Sequence, residues 1–83
     1  MIKIYTKDYC PYCGMAKRLL GSLGLDFEEI DLKSDQEAIM ALVQKTGMRT
    51  LPQIFVEDKL IGGYDDLKSI VDSGKLSEIL TDR

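Results

Sequence analysis

The sequence has no histidine and no tryptophan, only two cysteines and two prolines, and fewer cations than anions. Each shortage excludes something. Without an imidazole, no Ser-His or Cys-His catalytic pair can be assembled within the chain, and the commonest transition-metal ligand is missing. Two thiols cannot supply the four ligands of a structural zinc site from one copy. Eleven Lys and Arg against fourteen Asp and Glu leave a net charge of -3, which argues against a nucleic-acid binder with its basic patch or stripe. No apolar run approaches the roughly 20 residues of a membrane span. The N-terminal MIKIYTKDYC lacks the charged region, apolar stretch and cleavage site of a signal peptide. A cytoplasmic protein without membrane attachment is therefore expected. Its length of 83 residues suits one domain, 1–83, and 45% hydrophobic with 30% charged residues describes a globular chain rather than a disordered one.

What is present is a regular alternation of elements. Residues 1–6 are rich in β-branched and aromatic side chains and predict a strand. Pro11 suits the first turn of a helix, because its missing N–H costs nothing there. Met15, Ala16, Leu19, Leu20 and Leu23 then recur at helical spacing up to Gly24. Residues 25–32 alternate in part and predict a second strand. Ser34-Asp-Gln-Glu37 is a capping-box pattern, and Ala38, Ile39, Leu42 and Val43 give the helix it starts an apolar face, closed by Gly47. Residues 53–57 predict a short strand, which turns at 57–59 into a hairpin partner at 59–61. Gly62-Gly63 breaks the pattern. Asp65 and Asp66 open a third helix with Leu67, Ile70 and Val71 as its buried stripe, and residues 75–81 fit a short last one. The order β-α-β-α-β-β-α implies a parallel crossover, an antiparallel pair, and a four-stranded mixed sheet with helices on both faces: an α/β fold.

Cys10-Pro11-Tyr12-Cys13 lies where the first strand meets the first helix. Residues three apart on a helix are about 5–6 Å apart on one face, and a disulfide needs Cα atoms about 4.4–6.8 Å apart. The pair can therefore close and open with little backbone movement. Cys10 falls at the helix N-terminus, where unpaired N–H groups and the macrodipole favour an anion and hence a thiolate. Cys13 lies one turn inside and should be more buried. This asymmetry makes Cys10 the attacking thiol and Cys13 the resolving one. A structural crosslink, or half of a metal site shared between two copies, is the alternative use. A disulfide closing so short a loop removes little unfolded-state entropy, which favours redox use. Met15, Met40 and Met48 read as core or helix-face filling.

Three separated motifs, Cys10-Pro11-Tyr12-Cys13, Thr50-Leu51-Pro52 and Gly62-Gly63-Tyr64-Asp65-Asp66-Leu67, make the sequence resemble the glutaredoxin branch of the thioredoxin superfamily along essentially its whole length. The resemblance implies a thioredoxin-like fold and reduction of mixed disulfides between protein thiols and glutathione. Glutathione would be a co-substrate, with no tightly bound cofactor and no metal. It implies a cis Pro52 beside Cys10, with Leu51 pairing its backbone with the cysteinyl part of glutathione. Leucine replaces the family's valine there. Thr50 belongs to the same segment, although a plain loop hydroxyl is its simpler use. Gly63, Tyr64, Asp65 and Asp66 would receive the γ-glutamyl end, its carboxylate on helix N–H groups and its ammonium on an Asp. Asp at a helix start also serves as an ordinary cap. Lys7, and less strongly Arg49, would face the glycine carboxylate, and Tyr12 would flank the glutathione sulfur. Positive character is expected around Cys10 within an otherwise acidic surface. Expected partners are glutathione and glutathionylated or disulfide-bearing proteins, met by a monomer, with neither nucleic acid nor membrane. Two other uses fit the same motifs: a thioredoxin-like donor to a reductase such as ribonucleotide reductase, served by a flavin reductase, and a dimeric iron–sulfur scaffold, which Pro11 disfavours.

Overall fold

The computed structural model describes residues 1–81. Strand β1 (Ile2–Thr6) leads into helix α1 (Pro11–Ser22), strand β2 (Phe27–Asp31), helix α2 (Gln36–Thr46), strands β3 (Gln53–Val56) and β4 (Lys59–Gly62), and helices α3 (Tyr64–Asp72) and α4 (Leu76–Thr81). The strands form one sheet in the order β2-β1-β3-β4. β1 runs parallel to β2, with Ile4 opposite Glu29, and antiparallel to β3, with Ile4 opposite Ile54. β3 and β4 form an antiparallel hairpin. The mixed sheet with helices on both faces is thus the expected α/β architecture.

The strand period of two decides what each face packs against. Ile2 and Ile4 of β1, with Ile54 and Val56 of β3, are buried together with Ala16 and Leu20 of α1 and Leu67 of α3. Ile79 and Leu80 of α4 pack against the same cluster. On the opposite face Tyr5 packs with Ile39 and Leu42 of α2, Leu51 and Cys13. Tyr5 also meets Phe55 edge-on, ring centroids 5.5 Å apart. Fully burying one aliphatic side chain of this kind stabilises by about 1.5–3 kcal/mol.

Two helix starts differ from the sequence reading. Asp35, not Ser34, caps α2, its carboxylate accepting from the Ala38 N–H at 3.1 Å. Ser34 donates instead to the Asp8 carboxylate at 3.0 Å, a contact between residues far apart in sequence. Helix α3 begins at Tyr64, one residue before Asp65, after Gly63 as its N-cap. The second strand is also shorter than the alternation suggested, covering Phe27–Asp31.

The topology brings the chemistry together. Because β1 and β3 are antiparallel neighbours, the end of β1 and the beginning of β3 lie at the same edge of the sheet. The segment that follows β1 carries Cys10, and the one that precedes β3 carries Leu51 and Pro52. They meet although some forty residues separate them.

Candidate active site

Cys10 is the N-cap of α1, with extended backbone angles (φ -122°, ψ 94°), and Pro11 takes the first helical position. The Cys10 sulfur accepts from the Cys13 N–H at 3.2 Å, so it occupies the place an oxygen holds in an ordinary cap. No acidic residue stands in the first turn of α1. An anion at this position is favoured by the helix dipole and opposed by no neighbour in that turn. A disulfide joins Cys10 to Cys13, their Cα atoms 5.3 Å apart. Cys13 is 3% exposed and packs against Ile39, Leu42 and Leu51, while Cys10 is only part-buried. The two sulfurs are therefore unequal: one reaches solvent, the other reaches little besides its partner.

The peptide bond between Leu51 and Pro52 is cis, and the Cys10 sulfur lies 3.6 Å from the Leu51 carbonyl oxygen. Behind this segment stands Gln53, fully buried, whose side-chain amide donates to the Met48 carbonyl at 2.8 Å and the Thr50 carbonyl at 3.2 Å. That clamp fixes the short connection between α2 and β3. Across from it, the Asp66 carboxylate accepts from the Gly63 N–H at 3.0 Å and fixes the start of α3.

Between these two fixed segments runs a groove of about 340 Å³, lined by Tyr12, Met48, Thr50, Leu51, Pro52, Gly63, Tyr64, Asp65 and Asp66. The residues expected around glutathione line it, except Lys7 and Arg49. Lys7 is exposed and stands outside the lining, as does Arg49. The charged side chains of the groove itself are thus acidic, in contrast to the positive surround expected from sequence. The two aspartates are placed unequally. Asp66 is used by the Gly63 N–H, whereas the exposed Asp65 carboxylate makes no hydrogen bond among the described residues. Tyr12 and Tyr64 lean together, ring centroids 6.0 Å apart.

Met48 is the lining residue that sequence reasoning placed elsewhere. It was expected as filling, yet its methyl carbon lies 3.0 Å from where a Cβ on Gly63 would sit. The signal was available: Gly47 already closes α2 with a left-handed φ of 76°, so Met48 cannot belong to that helix's apolar face. Met40, also expected as filling, is 52% exposed. No group of three or more metal-ligating side chains is assembled among the described residues, and no helix among them is long and apolar enough to cross a membrane.

Comparison with known proteins fits this geometry. Residues 2–61 match the family model described as Glutaredoxin. The chain is 39% identical over 79 residues to Glutaredoxin 3 of Escherichia coli (strain K12), covering 95% of both proteins. It is 41% identical over 80 residues to a glutaredoxin of Pseudomonas aeruginosa, covering 96% of this chain and 95% of that one. The crystal structure of a buckwheat glutaredoxin–glutathione complex superposes with a TM-score of 0.86 at 39% identity, over 98% of this chain and 76% of that one. A family model spanning most of the chain, relatives matched nearly end to end, and a cysteine pair that closes at the head of α1 agree: the chain belongs to the glutaredoxin family, whose chemistry is thiol–disulfide exchange.

Proposed function

We propose that the protein reduces mixed disulfides between protein thiols and glutathione, using glutathione as the electron donor, and that it also reduces protein disulfides. The observation that carries the proposal is the Cys10 sulfur at the head of α1, 3.2 Å from the Cys13 N–H and beside Leu51. The buckwheat relative was crystallised as a glutathione complex, which supports this reading; here the groove beside Leu51 would receive the tripeptide. The Leu51 backbone would pair with its cysteinyl part, Thr50 and Pro52 would wall that part, and Tyr12 would flank its sulfur. The Gly63–Asp66 turn would hold the γ-glutamyl end, with Asp65 free to accept from the ammonium and Tyr64 beside it. Lys7 would approach the glycine carboxylate from outside the groove.

The chemistry balances without an imidazole. The Cys10 thiolate attacks the glutathione sulfur of the mixed disulfide, and that S–S bond breaks as a new one forms. The target leaves as a thiolate and takes a proton from solvent. A glutathione thiolate then attacks the Cys10-bound glutathione, releasing glutathione disulfide and restoring the Cys10 thiolate. When the target carries its own disulfide, Cys10 forms the mixed disulfide with the protein. Cys13 then attacks the Cys10 sulfur, which frees the reduced target and leaves the Cys10–Cys13 bond seen here. Burial suits Cys13 to this step alone.

The test compares Cys10→Ser with Cys13→Ser on a small glutathione mixed disulfide and on a protein disulfide. Cys10→Ser should abolish both activities. Cys13→Ser should keep the first and lose the second. Activity surviving without Cys10, or turnover supported by a flavin thioredoxin reductase but not by glutathione, would refute the proposal.

A further inference from the structure

Tyr64 belongs to more than the groove beside Leu51. Tyr64 also lines a second hollow of about 370 Å³, completed by Met15, Arg18, Leu19 and Ser22. With Tyr12, these α1 residues follow one another at intervals of three and four, which places them on a single face of the helix. Tyr64 is thus common to two hollows, one lined also by the cis-proline segment and the other by α1.

Arg18 gives the second hollow its chemistry. It is the only charged residue in the lining. Its neighbour Lys17 is committed to the Glu29 carboxylate at 3.0 Å, but among the described residues no carboxylate pairs with Arg18. The guanidinium folds back along α1: one of its nitrogens lies 3.4 Å from where a Cβ on Gly14 would sit. Gly14, the residue after Cys13, leaves open the space over which the cation lies. An unpaired guanidinium beside a half-apolar floor offers a carboxylate two parallel hydrogen bonds.

We propose that this hollow receives the protein half of the mixed disulfide and that Arg18 selects targets with an acidic side chain near the reactive cysteine. This rests on the reading of the chain as a reductase of glutathione mixed disulfides. Gly14 stands four residues beyond Cys10, about 6 Å along the helix axis at 1.5 Å per residue. An extended substrate advances about 3.3–3.6 Å per residue. The carboxylate therefore belongs roughly two to four residues from the substrate cysteine, once side-chain reach is included. Glutathione itself takes the groove beside Leu51, so Tyr64, which lines both hollows, is shared by the two halves of the substrate.

The experiment uses glutathionylated peptides carrying one glutamate, or one lysine, two to four residues before or after the cysteine. The small glutathione–mercaptoethanol mixed disulfide serves as the reference. The KM of the best glutamate peptide should lie about three- to fivefold below that of its lysine counterpart, the range of an exposed charge pair, and the gap should narrow with salt. Arg18→Ala should close the gap and Arg18→Glu should invert it, with the reference substrate and the KM for glutathione unchanged. Equal KM values for the two peptides in the unmodified protein would overturn the inference. So would an Arg18→Ala effect as large on the reference substrate as on the peptides, which would assign the cation to glutathione. Absence of turnover with the reference substrate would instead overturn the underlying function.

Discussion

Gly62 and Gly63 are adjacent, and each is needed for a different reason. Gly62 has a φ of 132°, a region closed to L side chains, and a Cβ there would overlap the Asp66 carboxylate. Gly63 has ordinary angles, and a Cβ there would press on the Met48 methyl group and lie 3.4 Å from the Pro52 carbonyl oxygen. Gly62→Ala should therefore destabilise by about 2–4 kcal/mol, combining backbone strain with loss of the Asp66 cap. Gly63→Ala should cost under about 1 kcal/mol, because a methionine end can move aside. Urea unfolding measures both, and equal losses would contradict this division. From sequence the pair is legible as a break before a helix, but not as one strained and one crowded position. The same holds for the site as a whole. The unequal roles of Cys10 and Cys13 are legible from helix geometry alone, whereas the groove residues are legible only through the family resemblance of the three motifs. Met48 and the Gln53 clamp escape, because the place of Met48 depends on the approach of Gly63 from the next helix start, and the clamp depends on the path of the connection that it holds.

The elements are legible in order and in kind because their periodicities are local. Their ends are less so, because caps answer to distant partners: Ser34 is drawn off by Asp8, and Asp35 takes its place. The β3–β4 turn shows the same limit. Glu57 and Asp58 both have positive φ, 49° and 69°, the signature of a type I′ turn, where Asn-Gly or Asp-Gly is the favoured pair. Two acidic residues do not announce it. Glu57 is held by more than the turn, since its N–H donates to the Met1 carbonyl at 3.1 Å and its carboxylate pairs with the terminal ammonium. Asp58 is exposed and is the position to relax. Asp58→Gly should stabilise by about 0.5–1 kcal/mol, by removing the cost of a side chain in the left-handed region. A rise in Tm with unchanged turnover is the expected result. A fall would mean that the aspartate contributes more than its backbone strain costs.

At the scale of the whole molecule, the site and the stability both depend on β1 lying between β2 and β3. Thr6, at the end of β1 and buried, donates its hydroxyl to Glu29 at 2.7 Å. That hydrogen bond, with a further one from Lys17 and its charge, holds the Glu29 carboxyl below its ordinary range, against the opposing effects of burial and of Asp31. A depressed carboxyl stabilises above its unfolded-state pKa, and the contribution is lost as pH falls through the folded value. Stability should thus decline on acidification through the carboxylate range, and Glu29→Gln should flatten that part of the slope. The difference should stay under about 1 kcal/mol, because the group is screened by solvent. Parallel thermal melts of the two proteins between pH 7 and pH 3, described by about that range of carboxylate titration, decide the matter; superimposable acid slopes would count against it. The same strand has another side. β2 has a neighbour along one edge only, and its five residues, Phe27 to Asp31, include Glu28, Glu29 and Asp31. A foreign strand seeking to add itself there would meet carboxylates on both faces of the strand, and crowding its own side chains against them costs their hydration. The open edge of the sheet therefore guards itself against templated aggregation, in a molecule whose proposed work is to meet oxidised proteins repeatedly and let each of them go.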